Sequence, residues 1–499
     1  MPEVRRIVPE KWKEWKEACL EYRCMCKPWI IMFAVYVIGI SAILRANFNY
    51  RDDLMRVFNG QGGWENYGRY ISCFLSWFIH VDTYLTDVSP LPQILAAVFM
   101  AAAAVTVWYI FSKDKHFTFG NLAALVPLGL SPYFLQCFSY KYDSPYMALS
   151  ILVSVIPLLF WKDGYRKYFC IAAAGTLAMC LSYQASSGIF PMLVALVCLK
   201  NWNSGDKIQE TLKFALYSAG GYVLGMAFFK IFLMPQADTY VSTSLPGIRE
   251  FFPVVARNFV TYFHYVVKDF KIGWLALIFL LCLGFLFVMV RESSRKWLAA
   301  FSMSGIILLI MVMFSFGLYP IFSQPLFAPR AMYGFGIFVA LVGTVVSTAE
   351  KAYLAKVPYI LLAWCFFVFS FTYGNALREQ QDYANFRLEA VVNDLNSLDI
   401  MMDGKEKKMQ LIGSIGHAPV VKNMLKHNRI LKRLVPTQFQ AEQKPEEWKF
   451  YHNYGLKKVK RNRHKKTGEY YQKMNLPMLK DTMYHTIRGK DGRILIELK

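Results

Sequence analysis

Apolar residues run in long blocks along this chain, with short polar clusters between them. The blocks are Trp29–Leu44, Leu91–Phe111, Phe119–Phe138, Met147–Trp161, Tyr168–Leu181, Gly188–Leu199, Leu212–Met234, Ile272–Val290, Leu298–Leu318, Ala331–Ser347 and Pro358–Tyr373. Windows of roughly 17–25 apolar residues cross a hydrocarbon core of about 30 Å as helices. The pattern predicts eleven or so spans, several of them short. After Asn375 it changes: Asp382–Met402 has helical period, Met409–Ile412 reads as a strand, Val420–Leu434 as a helix and Arg493–Leu498 as a strand. Met1–Lys27 sets Trp12 and Trp15 among lysines, as an interfacial amphipathic helix does. The expected fold class is an all-α polytopic membrane protein with a small C-terminal α/β or α+β domain. Its parts are residues 1–28 (amphipathic), 29–374 (transmembrane) and 375–499 (soluble).

Charge orients the spans. Arg5, Arg6, Lys11, Lys13, Lys16, Arg23 and Lys27 precede the first one, which places the N-terminus in the cytoplasm. Every later inward loop is basic too: Lys113 and Lys115, Lys162 to Lys167, Lys200, Arg291 to Lys296, then Lys351 and Lys356. Five segments then lie outside: Arg45–Pro90, Ser139–Tyr146, Ser182–Ser187, Pro235–Lys271 and Tyr319–Arg330. Everything after Asn375 is outside as well. That tail is basic, but the rule weakens for long translocated domains.

The chain is 55% hydrophobic and 18% charged, against about 25% charged in soluble proteins. Its net charge of +22 suits anionic lipid head groups and phosphates. No nucleic-acid recognition motif accompanies it. Of 10 cysteines, most sit in or beside apolar runs and none follows Asn375, so the tail cannot depend on an internal disulfide. Cys19, Cys24 and Cys26 are closely spaced, but no further Cys/His cluster completes a metal site. The run Lys457–Lys466 (KKVKRNRHKK) reads as a solvated loop or as a contact for anionic glycan or lipid.

Candidate chemistry gathers in the outer segments. Asp52 and Asp53 lie between Arg51 and Arg56, just past the first span. Adjacent carboxylates resist ionising together when buried, so one can take a raised pKa while the other stays charged as a base. Abstracting a hydroxyl proton needs such a base, and arginines hold phosphate by paired hydrogen bonds. The plainer reading has Asp52 capping a helix that starts at Asp53, with Asp53 paired to Arg56 or Arg51. The aromatic stretch after Gly68 suits the head-group plane. In SYKYDSPY, Asp143, beside Lys141, could add a second acid or bind sugar hydroxyls, and Tyr140 and Tyr142 could stack on a sugar ring, or Asp143 could simply close a turn. Tyr183 and Gln184 could hydrogen-bond a sugar or satisfy a helix end. Lys230 sits inside a span, where ionisable residues mark function unless they snorkel. Arg330 opens an inward span.

NYRDDLMR, WENYGR, YKYDSP, SYQASSG and APRAMYG, in that order, resemble the bacterial glucosyl transferase GtrII family. Its members include phage-type enzymes that convert O-antigen serotype, and they are similar to membrane glycosyltransferases of the GT-C class. The resemblance implies transfer of one sugar, glucose by the family's name, from a polyprenyl phosphate donor to a hydroxyl of a cell-surface glycan. Asp52 or Asp53 would be the base of an inverting single displacement. Arg56, Arg69, Lys230 and Arg330 would offset the donor phosphate charge. Lys141, Tyr142, Asp143, Tyr183 and Gln184 would hold acceptor or sugar. The implied partners are the lipid-linked donor, the glycan acceptor, membrane lipids, a small flippase and a donor-synthesising glucosyltransferase, without nucleic acid. The implied place is the bacterial inner membrane. No cofactor is called for, and no His/Asp/Glu cluster requires a metal, although a divalent ion stays open. A lipid-linked glycan transporter or flippase, a polysaccharide ligase or polymerase, and a scaffold are the rival readings.

Overall fold

The computed structural model describes residues 23–112, 114–235, 244–350, 352–398, 400, 405–439, 450, 454–456, 459–461 and 474–499. The amphipathic segment expected at Met1–Lys27 lies almost wholly outside these residues, as does Cys19. Of Lys457–Lys466, only the strand Val459–Arg461 falls within them.

All eleven expected spans lie on helices. Among the described residues, seven are long and apolar enough to cross a bilayer: Arg23–Ala46, Leu91–Phe111, Gln184–Asn203, Ile208–Leu233, Ile272–Arg291, Trp297–Phe314 and Tyr353–Ser397. An eighth is a pair, Phe119–Leu130 and Pro132–Ser139, bent by 56°. Ser144–Leu159 and Gly334–Ser347 are apolar but shorter, and Tyr165–Ser182 opens on Tyr-Arg-Lys-Tyr, which dilutes its apolarity. The chain is a multi-pass membrane protein with a small C-terminal sheet.

The bend has a local cause. Thr118 starts the pair with a capping box shared with Asn121. Pro127 then removes a helical N–H, and Ser131 precedes Pro132 with φ −59° and ψ 144°, since a residue before proline avoids the helical region. The redirected helix ends at Tyr140, which begins the loop that carries Asp143. Behind it, all 14 residues of Gly334–Ser347 are buried, as expected of a helix apolar on every side. Gly336 permits that approach, because a Cβ there would stand 2.1 Å from Ser131 Oγ.

One segment departs from the expected pattern and another follows it. Pro235–Lys271, expected as a connection, contains the helix Phe251–Asp269. This helix turns Asn258, Tyr262 and Val266 inward and leaves Phe252, Val260 and Val267 exposed. The helix Tyr70–His80 buries Ser72, Ser76 and His80 and exposes Tyr70, Phe74, Trp77 and Phe78. Its aromatic side faces away from the protein, as a helix lying at a membrane interface requires.

The last span continues far past bilayer length. Tyr353–Ser397 is 45 residues, about 68 Å at 1.5 Å per residue, and it absorbs most of the helix expected at Asp382–Met402. Its far end lays Leu388, Val391 and Leu395 on a five-stranded sheet. The strands are β1 Lys407–Gly413, β2 Val459–Arg461, β3 Met478–Asp481, β4 His485–Lys490 and β5 Arg493–Leu498, in the order β2-β1-β5-β4-β3. β1 is parallel to β2 and β5, and β3, β4 and β5 form an antiparallel meander. Arg387 ties the helix to the sheet by donating to the carbonyls of Tyr484 and Lys499, both at 2.6 Å. The helix expected at Val420–Leu434 is two, Pro419–His427 and Leu431–Leu434, interrupted at Asn428. They bury Val421, Leu425, Leu431 and Leu434 in the core of the membrane domain, apart from the core beneath the sheet.

Candidate active site

The five segments read as outer loops converge on one cavity of about 1190 Å³. Its wall takes Arg51, Asp52, Arg56 and Arg69 from the first, Tyr140 and Asp143 from the second, and Tyr183 and Gln184 from the third. Leu245 comes from the fourth, and Tyr319, Phe322 and Arg330 from the fifth. Lys230 joins them from the end of Ile208–Leu233, on a π-helical turn spanning Phe229–Leu233. Such turns are uncommon and recur at functional sites. Gly68 seats the first loop against this turn: its φ is +68°, and a Cβ would come within 3.0 Å of the Leu233 carbonyl. Three of the expected site residues, Asp53, Lys141 and Tyr142, stand behind the wall.

The two aspartates divide. Arg51 takes φ +47°, a left-handed conformation uncommon outside glycine. Past this turn Asp53 points inward and Asp52 stays outside. Asp52 occupies the N-cap position of Asp53–Asn59, yet its side chain makes no capping hydrogen bond. It is exposed and lines the cavity. Asp53 is 0% exposed. Its Oδ2 accepts from the backbone N–H groups of Tyr50 and Lys141, each at 3.0 Å, stitching the first loop to the second. Burial pushes its carboxyl up to about 8, against the pull of Arg56 and these N–H donors.

Asp143 is committed to partners. Arg56 donates to its Oδ2 and Trp64 Nε1 to its Oδ1. The Arg56 guanidinium also lies over the Trp64 ring, 4.8 Å from its centre. Burial raises Asp143, but the Arg56 charge and hydrogen bond, aided by Trp64, outweigh it and hold the carboxyl below the usual range. Burial likewise opposes the charge on Arg56, and Asp143 more than offsets it. Behind them Lys141 pairs with Asp87 at 2.8 Å, and Tyr142 stacks on His80.

Arg69 and Arg330 are aimed by aromatic and amide groups. Arg69 donates from Nε to Gln184 at 3.0 Å and lies 4.6 Å from the centre of the Tyr183 ring. Gln184 in turn donates to the Tyr67 carbonyl at 2.9 Å. Arg330 donates to the Tyr140 hydroxyl, and its backbone N–H donates to Gln136 at 2.6 Å. Gln136 passes a hydrogen bond to Tyr50 at 2.8 Å, and Tyr50 donates to the Leu434 carbonyl at 2.7 Å. The Tyr140 hydroxyl is raised by burial first; Arg330 opposes this and Asp52 adds to it, so all three share one electrostatic neighbourhood.

Several wall and support residues escape a reading by motif. Trp64 lies inside a quoted motif but shows no polar role until its partner is seen, and Tyr140, expected to stack on a sugar ring, also accepts a hydrogen bond from Arg330. Gln136 had a signal, a lone amide inside the apolar run PYFLQCF. His417, Lys432 and Gln438 also line the cavity. They come from the C-terminal portion, where nothing in spacing connects them with Asp52. Among the described residues no three His, Cys, Asp or Glu side chains group as metal ligands.

The sequence that builds most of this cavity matches a known family pattern. The family model for glucosyl transferase GtrII covers residues 41–341. The chain belongs to this family. The matched region contains every expected site residue, Asp52 through Arg330. This glucosyl transferase family member is also 23% identical, over 422 residues, to a Salmonella phage P22 protein described as an uncharacterized 55.3 kDa protein in the gtrB 5' region. The match takes in 81% of this chain and 86% of the phage protein. No solved structure matches this GtrII member. It is thus a membrane-embedded glycosyltransferase.

Proposed function

We propose that this protein moves one glucose from a polyprenyl phosphate to a hydroxyl of a cell-surface glycan such as O-antigen. The reaction occurs at the outer face of the bacterial inner membrane, with the N-terminus in the cytoplasm and the C-terminal domain outside. A small flippase and a donor-synthesising glucosyltransferase would supply the lipid-linked sugar. One observation carries the reading: Asp52, an exposed carboxylate free of its own helix end, opens onto a cavity shared with Arg51, Arg69, Lys230 and Arg330.

Asp52 is the base. It takes the proton of the acceptor hydroxyl as that oxygen bonds to the anomeric carbon. The bond from anomeric carbon to phosphate oxygen breaks, its electron pair leaves on the polyprenyl phosphate, and configuration inverts. Arg69, Lys230 and Arg330 meet the growing phosphate charge at positions set before the reaction. Arg56 and Asp143 neutralise each other and shape the wall. Asp53 positions Asp52 through the backbone of both loops, and Tyr183 and Gln184 hold Arg69. The lipid flank of the cavity offers Val223, Met226, Phe229 and Phe322 to the prenyl chain.

The test is incubation of purified protein with polyprenyl-phosphate glucose and candidate glycans, followed by mass spectrometry and anomeric assignment by NMR. One added hexose with inverted configuration is expected. Retained configuration would exclude a single displacement, and transfer of a preassembled glycan would favour a ligase or polymerase.

A further inference from the structure

The cavity has two unlike flanks. One is apolar and belongs to Ile208–Phe228, whose outward face exposes Leu216 and Val223 by 70% and 62%. The other comes from the C-terminal portion and carries polar groups, His417, Lys432 and Gln438, beside Val435 and Pro436. Gln438 is only 3% exposed, and its Oε1 has no hydrogen-bond partner among the described residues. Its amide nitrogen reaches Gln381 at 3.4 Å. The buried Nδ1 of His417 also lacks a partner among those residues. Buried polar atoms in proteins are nearly always satisfied, and these two belong to side chains of the cavity wall, where hydroxyls of a ligand would partner them. Burial lowers the affinity of His417 for a proton, with Lys422 reinforcing, so its ring is neutral near pH 7 and offers one donor and one acceptor. Lys432 is exposed and adds an ammonium with three donors.

The wall is held firmly. Gly416 bridges to Gln438. Gln380, on the long helix, donates to the Gly416 carbonyl at 2.9 Å and accepts from the Ala418 N–H at 3.0 Å. Arg433 pairs with Asp269, donates to the Phe327 carbonyl and lies 4.2 Å from the centre of the Tyr265 ring. The wall is tied to the loop of the proposed base, because Tyr50, two residues before Asp52, donates to the Leu434 carbonyl.

We propose that His417, Lys432 and Gln438 form the acceptor subsite, hydrogen-bonding the hydroxyls of the receiving saccharide as it approaches Asp52 from the aqueous flank. This rests on the reading of the cavity as the place of sugar transfer. It gives the soluble portion a direct share in choosing the acceptor, while the lipid flank takes the donor.

The test compares steady-state kinetics of full-length Lys432→Ala, His417→Ala and Gln438→Leu in detergent, varying glycan acceptor and polyprenyl-phosphate glucose separately. Each variant is expected to raise the acceptor KM about tenfold, the size of one strong hydrogen bond, and to leave the donor KM where it was. Lys432→Arg should recover most of the loss. An unchanged acceptor KM, or a donor KM that rises in step, would overturn the assignment. If Gln438→Leu fails to fold, the exposed Lys432 decides the matter alone. Wild-type protein that transfers no hexose would instead overturn the reading beneath.

Discussion

The surface of the cavity and the layer behind it are built from neighbouring residues with opposite environments. The Asp52 side chain faces the open space and makes no capping hydrogen bond to the helix it begins. Asp53, the next residue, is sealed and binds two backbone N–H groups. Arg69 and Arg330 are steered to the wall by neutral partners, Gln184, Tyr183 and Tyr140. Arg56, also on the wall, is neutralised by Asp143. The difference separates groups available for chemistry from groups that hold the chemistry in place. Residue type alone does not reveal which is which.

The sharpest break of this comparison is the pair Asp52→Asn and Asp53→Asn. Loss of a general base should lower transfer by about 10²–10⁴-fold in Asp52→Asn, with an unchanged melting temperature in detergent. Asp53→Asn should stay within about threefold of wild type, since an amide oxygen can accept both N–H bonds. Equal losses in the two variants would erase the distinction.

Next comes the supporting ion pair. Asp143→Ala strands a buried guanidinium and should cost about 3–5 kcal/mol of stability, read as a large drop in thermal midpoint. The double variant with Arg56→Leu should recover part of it, because the two residues act as one unit. Additive losses would mean that they do not.

A pH series separates the layers more gently. Asp53 binds its proton up to about 8 when folded, against 3.8 for an unhindered aspartate. The folded state therefore holds the extra proton in that window. Stability is fullest below 3.8, falls as pH rises through the window and levels off above about 8. The thermal midpoint of wild type should decline more steeply across that range than that of Asp53→Asn. Parallel curves would contradict a buried proton.

The smallest expected change is Gln184→Leu, which removes the amide steering Arg69. A donor KM raised about fivefold, with kcat nearly constant, fits the loss of one hydrogen bond. No change would mean that the Tyr183 ring suffices.

Most of the spans were legible because bilayer crossing demands long apolar runs, and the five segments set apart by the basic loops meet at one cavity. Arg493–Leu498 was legible from β-branched and apolar density. The helix Phe251–Asp269 escaped because Arg257, Asn258, Thr261 and His264 interrupt its apolar run, and that amphipathic pattern is not the one sought in a span. The paired acids marked the right loop. Their division did not show, because it depends on a left-handed turn at Arg51, a residue type that gives no hint of one. The cavity flank at His417 and Gln438 was illegible for a different reason. It reaches Asp52 only through contacts such as Tyr50 with Leu434, 384 positions apart.

The helix Tyr353–Ser397 joins the last span to the sheet without a hinge, and Gln380 and Arg387 on it grip the soluble portion. Adding one residue to such a rod would rotate everything beyond it by about 100°. Arg433 meanwhile keeps its fixed anchor on Asp269. The length of that rod is therefore a gauge. Loops on the sheet are free to vary in size, but the rod can change only by steps that preserve its angular phase.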